Sequence, residues 1–486
     1  MKLIPQEIKF VIEKLKKEGF EAYIVGGCVR DILRGEKPKD WDIATNAKPE
    51  EIGKIFLRSY SDNKFGTVTV LTGSEDPTLK EIEITPYRID EKYTDKRHPD
   101  KIRWAKSIQE DLKRRDFTIN AMAGEIKGEK INIIDPFKGK DDLRKKIIRA
   151  VGKAEDRFNE DALRMMRAVR LATVLGFHIE PCTAEAIKKN AFWLQAIAKE
   201  RIREEFLKII MSDRAVEGVE LLRKLNLLKY IVPELEEGYG VTQNKHHIYD
   251  VYEHLLRSLG YAVKRKFNKY VRLAALFHDI GKPRTKRGEG PDATFYGHEI
   301  VGAKMTIQIL QRLKFPKKDI EKIAKLVRYH LFYYHPDEVG ESSVRRLLRK
   351  VGPENIEELI QLRMCDRIGS GCPKAEPYKL RYLRYVIEKI SQDPISVKML
   401  KVNGYDVMRI LNIPPGPKVG QILDVLLSQV LNDPEKNKKE YLEREIQKLG
   451  KLSEEELKKL SEEARKERER IEMKRDEMTK KKYWLT

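Results

Sequence analysis

Up to about residue 148 the chain alternates short β-like runs with helical stretches. From about Asn159 onward the β signals nearly vanish and apolar residues recur at helical spacing. This change of period constrains the fold more than any other feature, because it implies a mixed sheet-and-helix start joined to a long helical remainder. Residues 22–25, 43–45, 67–71, 81–86 and 130–134 read as strands between polar, turn-rich segments. The predicted fold class is therefore α+β: a small mixed sheet with helices, then helices only. A chain of 486 residues exceeds one ordinary domain. Pro, Gly and charge interrupt the pattern near 151–153, 233–240 and 374–377, which predicts segments 1–148, 149–232, 233–375 and 376–486.

Composition narrows the partners. Lys and Arg number 98 against 77 Asp and Glu, a net charge of +21, which points to nucleic acid first and an anionic membrane surface second. No apolar run approaches the roughly eighteen residues of a membrane span, so no membrane-spanning segment is expected. Residues 1–20 alternate charge and apolar groups like an amphipathic helix and hold no secretory h-region. Cys28, Cys182, Cys365 and Cys372 form no CxxC pair, which argues against a disulfide framework or structural zinc and fits a reducing cytoplasm.

The first chemically informative stretch is YIVGGCVRD (23–31), followed by KDWDI (39–43). A strand runs into Gly26 and Gly27, where the absence of side chains lets backbone N–H groups approach phosphate, and a helix begins at about Cys28. Arg30 lies in its first turn, placed to pair with a phosphate. Twelve residues separate Gly27 from Asp40, and Asp40 and Asp42 are two apart and so on one face if they share a strand. Two such carboxylates repel unless a cation sits between them, and Mg²⁺ suits hard oxygen ligands. Glu83, between Ile82 and Ile84, supplies a third acidic group on a neighbouring strand, enough to hold two metal ions. No GxxxxGK[ST] string occurs, so a P-loop is not the source of phosphate chemistry. The ordered combination resembles the nucleotidyltransferase superfamily that includes DNA polymerase β.

Two further strings sharpen the match. EDLKRRDFTINAMA (110–123) and RFNEDALRMMRAVR (157–170) resemble signature motifs of the class II tRNA nucleotidyltransferases, which comprise CCA-adding enzymes and the related bacterial poly(A) polymerases. Weaker traces follow at 402–406 and 414–420. On its own terms the second string predicts a helix from Glu160, capped by Asn159, with Leu163, Met166 and Val169 buried and Asp161 and Arg164 on an adjoining ridge. The bland reading of Asp161 and Arg164 is a surface ion pair.

The resemblance implies more: Asp161 and Arg164 as a base template made of protein. Cytosine and adenine each offer an exocyclic amine beside a ring-nitrogen acceptor, so a carboxylate and a guanidinium fit both. Uracil and guanine reverse both partners. It also implies that Gly27 and Arg30 contact the triphosphate and that Arg115 binds nucleotide near its sugar or phosphates. Arg167 and Arg170 line the pocket, Asp40, Asp42 and Glu83 are catalytic, and CTP, ATP and the tRNA 3′ end are the substrates. Residues 90–99 are similar to the loop used in switching from C to A addition. The four segments then correspond to head, base-reading neck, helical body and tRNA-contacting tail. Residues 101–170 hold nineteen basic and twelve acidic side chains, a surface suited to a shape-recognised polyanion.

A second constellation follows in the order His254, His278-Asp279, His298, His330, Asp366. The HDIGK string (278–282) and this order resemble HD-type phosphohydrolases. The resemblance implies that His254, His278, Asp279 and Asp366, with room for His298 and His330, hold a second divalent transition metal that activates a water. His246 and His247 are given no role. The last segment, 451–486, has twelve basic and ten acidic residues and a thin stripe of Leu452, Leu457, Leu460, Ala464, Ile471 and Met478. It is predicted as a solvated helix with intrahelical ion pairs.

The leading expectation is an enzyme adding C, C and A to tRNA with release of pyrophosphate. The alternatives are an A-adding enzyme or poly(A) polymerase, an HD-type phosphohydrolase, and a non-catalytic RNA-binding protein. Oligomeric state is left open.

Overall fold

The computed structural model describes residues 4–61, 66–91, 101–128, 130–244, 248–336, 340–391 and 397–485. The residues 92–100 that carry most of the expected switching loop, and His246 and His247, lie outside them.

Nine strands form the first part: β1 (Ala22–Val25), β2 (Asp42–Thr45), β3 (Ser59–Ser61), β4 (Val68–Leu71), β5 (Glu81–Pro86), β6 (Arg88–Glu91), β7 (Lys101–Trp104), β8 (Ala123–Lys127) and β9 (Lys130–Ile134). Seven of them make one sheet in the order β3-β4-β5-β2-β1-β8-β9, while β6 and β7 pair separately. The pair β2–β5 is parallel and the rest of the large sheet is antiparallel, so the sheet is mixed as expected.

Alternation along the strands assigns its two faces. Ile24, Ile43, Ile82 and Ile84 pack with Ile8, Val11, Ile12 and Leu15 of the helix Gln6–Lys17. Val25, Ala44 and Ala123 face the other way, toward Tyr87, Ile108 and Leu112. Ile43 is fully buried at the centre of the sheet. Ile43→Ala is expected to destabilise this part by about 2–5 kcal/mol, seen as an earlier midpoint in chemical denaturation.

Five expected strands are present, but β3, β6, β7 and β8 went unforeseen. In β8 the reason is local. Gly124 depresses β propensity, yet a Cβ there would lie 2.8 Å from Ile24, so only glycine lets β8 approach β1. Ile147–Ile148, at the end of the mixed segment, also form a short parallel pair with His178–Ile179, which lie in the region read as helical.

Beyond the sheet the described residues are mainly helical. Two corrections apply at residues 157–170. Asn159 lies inside the helix Ala154–Glu160 rather than at the start of one, and the next helix is Leu163–Leu175. The chain breaks at Asp161, whose extended backbone ends the first helix and whose Oδ1 accepts from Leu163 N–H (3.0 Å). Asp161 and Arg164 therefore do not share a helix. Leu163, Met166 and Val169 are buried as expected.

The chain divides into two compact units, one ending at Leu331 and including Glu357–Ala375, the other comprising Phe332–Ile356 and Glu376–Thr486. The second has its own core, with Ile422, Leu426, Leu442, Ile446 and Leu457 buried. Its final helix, Glu454–Lys482, starts at a Ser453/Glu456 capping box. This helix is more than a solvated rod. Leu457 and Ala464 are buried and Ile471 packs against the same core, whereas Leu460 and Met478 are exposed. Several of its charges reach other helices: Arg465 pairs with Asp424 and Lys482 with Glu388, each at 2.7 Å. The apolar stripe was thin because charged neighbours complete the contact. Among the described residues no helix is long and apolar enough to cross a membrane.

Candidate active site

Strand β1 ends at Gly26, whose φ of +76° suits glycine. A Cβ there would lie 2.9 Å from Arg115 Nη1 and 3.5 Å from Asp42 Oδ2, so the turn is also closed to side chains by the groups around it. Gly26→Ala is expected to displace Arg115 and to lower nucleotide incorporation by about tenfold or more, measurable under single-turnover conditions. The short helix Gly27–Leu33 follows. Its Arg30 is held by Asp31 through two nitrogens (2.9 Å each) and donates through Nη1 to Asn120 Oδ1 (2.8 Å).

Asp42 opens β2 and pairs in register with Glu83 of β5 across the parallel ladder. Asp40 precedes the strand rather than lying on it, because β2 begins only at Asp42. The three carboxylates nevertheless line one cleft of about 390 Å³ with Thr69 and Thr78. Their crowding acts on the ionisation of Asp42 and Glu83. Burial pushes the Asp42 carboxyl up, the Arg115 guanidinium opposes it, and the charge of Asp40 adds to the push. Burial followed by the charges of Asp42 and Asp40 raises Glu83 as well. An oxygen-only donor set that destabilises its own charge fits a hard divalent cation.

Residues 157–170 are tied to this cleft by the segment just after Lys113. Arg115 stands beside Gly26 and its charge acts on Asp42, while the next residue, Asp116, binds Arg167 (Oδ2 to Nε 2.8 Å, to Nη2 2.7 Å). Burial works against Asp116, yet Arg167 and Arg164 bring its carboxyl down to about 2. Asn120 bonds Arg30 and donates to Asp116 Oδ1 at 3.4 Å, so a continuous polar network runs from Arg30 to Arg167.

Arg164, Arg167 and Arg170 follow one another three residues apart on the helix Leu163–Leu175 and all are half-buried. Arg170 pairs with Glu205 (2.6 Å). The side chains of Asp161 and Arg164 do not form the surface ion pair of the bland reading. Arg164 donates to Glu160 (2.5 Å) and to the carbonyls of Arg157 and Arg114, while Asp161 Oδ2 accepts from Arg201 (3.3 Å).

The second constellation also assembles. His254 comes from the helix Val251–Lys264 and Asp366 from Ile356–Gly369. His278 and His330 cap the C-terminal ends of two helices, and His298 opens a third. His254 Nε2 lies 2.9 Å from His278 Nε2, 3.1 Å from Asp279 Oδ2 and 3.5 Å from Asp366 Oδ1. On the other oxygen of Asp279, Oδ1, stand His298 Nε2 (3.1 Å) and His330 Nε2 (3.4 Å).

Backbone carbonyls fix the rings. Nδ1–H of His278, His298 and His330 donates to the carbonyl three residues earlier, at 3.0, 2.7 and 2.7 Å, which leaves each Nε2 as a lone pair aimed inward. Converging lone pairs and carboxylates at 2.9–3.7 Å match the spacing of ligand atoms about 2.1 Å from a shared ion. Burial disfavours charge on Asp279 and Asp366, but Lys282 beside the first and Arg363 beside the second, with the histidines, hold both carboxyls well below the usual range. A cavity of about 750 Å³ opens onto the cluster, with Arg328, Arg363 and Arg367 on its walls.

Comparison with known proteins accounts for the two sites together. Residues 22–149 match the family described as the poly A polymerase head domain. Residues 176–238 match the probable RNA and SrmB-binding site of polymerase A, and 246–369 match the HD domain. The CCA-adding enzyme of Ligilactobacillus salivarius is 33% identical over 460 residues, 91% of this chain and 99% of that protein. The chain belongs to the CCA-adding tRNA nucleotidyltransferase family. The A-adding tRNA nucleotidyltransferase of Deinococcus radiodurans is 34% identical over 422 residues, 83% of this chain and 90% of the relative. The crystal structure of the Bacillus stearothermophilus CCA-adding enzyme in complex with CTP is 30% identical, with a TM-score of 0.59, over 92% of this chain and 98% of that one.

Local pattern in the sequence does not single out Asp116, Asn120, Lys282 or Arg201. Asp116 and Asn120 stand inside the quoted head motif, and their burial was the missing signal. Arg201 sits forty residues from its partner Asp161, and nothing local announces that contact.

Proposed function

We propose that this family member extends the 3′ end of tRNA with C, C and A, taking the residues from CTP and ATP and releasing pyrophosphate. The observation that carries this reading is the three-carboxylate cleft beside Arg115, with the next residue, Asp116, paired to Arg167 on the helix that also bears Arg164. The tRNA 3′-oxygen attacks the α-phosphorus, forming a new P–O bond as the bond to pyrophosphate breaks. Asp40, Asp42 and Glu83 would hold two Mg²⁺ ions, which when bound supply charge neutralisation at the attacking and leaving oxygens.

The remaining residues work by position. Gly26 and Gly27 give the triphosphate a side-chain-free approach. Arg30 and Arg115 meet its charge, and Arg167 and Arg170 shape the pocket wall. Asp161 accepts from the exocyclic amine of C or A and Arg164 donates to the adjacent ring nitrogen, which refuses U and G. We divide the chain at 148, 232 and 375 into a transferase head, a base-reading neck, a metal-binding body and a tRNA-contacting tail. The cysteine spacing supports a cytoplasmic location. A transcript lacking its last three nucleotides is expected to gain three and then stop in Mg²⁺, with one pyrophosphate released per addition, and to gain none after chelation by EDTA. Extension in excess chelator contradicts the reading.

The converging Nε2 atoms in the body favour a second, additional activity. We assign His254, His278, Asp279 and Asp366, with His298 and His330 on the other oxygen of Asp279, as ligands for a divalent transition metal, which supplies Lewis acidity toward a phosphate ester when bound. Arg328 and Arg363 would receive the ester's charge. His278→Ala is expected to lose hydrolysis of a 2′,3′-cyclic phosphate end while retaining nucleotide addition. Hydrolysis equal to the parent's removes the assignment.

A further inference from the structure

We infer that Arg201 is a positioning residue for base selection: it holds the carboxylate of Asp161 in the one orientation that accepts from an exocyclic amine. The inference rests on the reading of Asp161 as a base reader. Arg201 belongs to a different helix, Lys199–Ile210, and reaches Asp161 across forty residues of chain.

The geometry at Asp161 is that of a carboxylate fastened at both ends. Oδ1 accepts from the Leu163 backbone N–H at 3.0 Å, and Oδ2 accepts from Arg201 Nη2 at 3.3 Å. Leu163 N–H is fixed by the start of its helix. Arginine carries donors only, so it commits Oδ2 as an acceptor. A carboxylate has about four lone-pair sites, so these two bonds leave one on each oxygen for a base. Asp161 is half-buried, and the Arg201 side chain is only 30% exposed, so water competes weakly for the contact.

Rigidity is what selection needs here. On cytosine the amine stands where uracil carries a carbonyl, and the ring nitrogen accepts where uracil's N3–H donates. A carboxylate that cannot move meets the uracil carbonyl as acceptor against acceptor. A carboxylate released from Arg201 keeps only the Leu163 bond and can swing toward the ring nitrogen, where the N3–H of uracil satisfies it. The same displacement admits guanine through N1–H. Arg164 is held independently by Glu160 and two carbonyls, so loss of Arg201 frees one reader and not the other.

The test compares kcat/KM for CTP and UTP on one tRNA transcript ending before CCA, using the full chain. Arg201→Ala is expected to lower the CTP-to-UTP ratio by about tenfold or more, through loss of a charge-assisted bond. Arg201→Lys, which restores a charged donor, is expected to recover part of it. Both nucleotides are measured on the same preparation, so any unfolded fraction cancels from the ratio, and a purely structural role lowers both values together. Asp161→Ala separates the failures. If it lowers the ratio while Arg201→Ala and Arg201→Lys leave it at the parent value, the role of Arg201 is overturned and base reading stands. If Asp161→Ala itself leaves the ratio unchanged, base reading by Asp161 falls and takes this inference with it.

Discussion

Replacing Asp42 with Ala is expected to cut nucleotide incorporation by about a thousandfold or more while leaving the protein as stable as the parent or more so. The two halves of this result have one cause. Burial and the charge of Asp40 raise Asp42 against the pull of Arg115, and burial and the charges of Asp42 and Asp40 raise Glu83, so in the absence of a cation Asp42 adds to the cost of ionising its neighbour. Removing one relieves the repulsion and removes the binding place of the ions at the same stroke. Single-turnover incorporation and a thermal melt without divalent ions read the two effects separately. Incorporation within tenfold of the parent, with metal dependence preserved, contradicts the assignment of the cleft.

The next largest effect is expected for Asp161→Ala, as a loss of base discrimination rather than of all activity. Sites built to hydrogen-bond a particular base edge reject the wrong one by up to roughly 10⁴–10⁵. With the acceptor gone, Arg164 remains alone, held by Glu160, and no group penalises the carbonyl of UTP. The CTP-to-UTP ratio is expected to fall by about a hundredfold or more, measured as kcat/KM for each. An unchanged ratio with a uniformly slower enzyme places selection elsewhere.

Much of this was legible from local pattern. The strands β1, β2, β4, β5 and β9 carry alternation or compact apolar runs, and the parallel pairing of β2 with β5 then places Asp42 beside Glu83. Strand β8 was hidden because Gly124 suits it only through the close packing on Ile24. The helix break at Asp161 was misplaced by two residues because Asn159 is a good cap by type, whereas the structure uses the carboxylate of Asp161 itself. The C-terminal helix reads as solvated because part of its anchoring comes through Arg465, Glu467 and Lys482, which meet Asp424, Ser428 and Glu388. In the HD-type cluster the ligand order could be read along the chain. The convergence of the imidazole Nε2 atoms on Asp279 could not, since it depends on helix ends meeting in space.

The central claim is that one pocket reads both C and A and stops after three additions. A tRNA transcript ending before CCA, given CTP alone and resolved at single-nucleotide length, tests it most directly. The account predicts two added nucleotides and a halt, with a third appearing only when ATP follows. No addition from CTP, together with one A on a transcript already ending in CC, contradicts it, as does a long ladder of A from ATP alone.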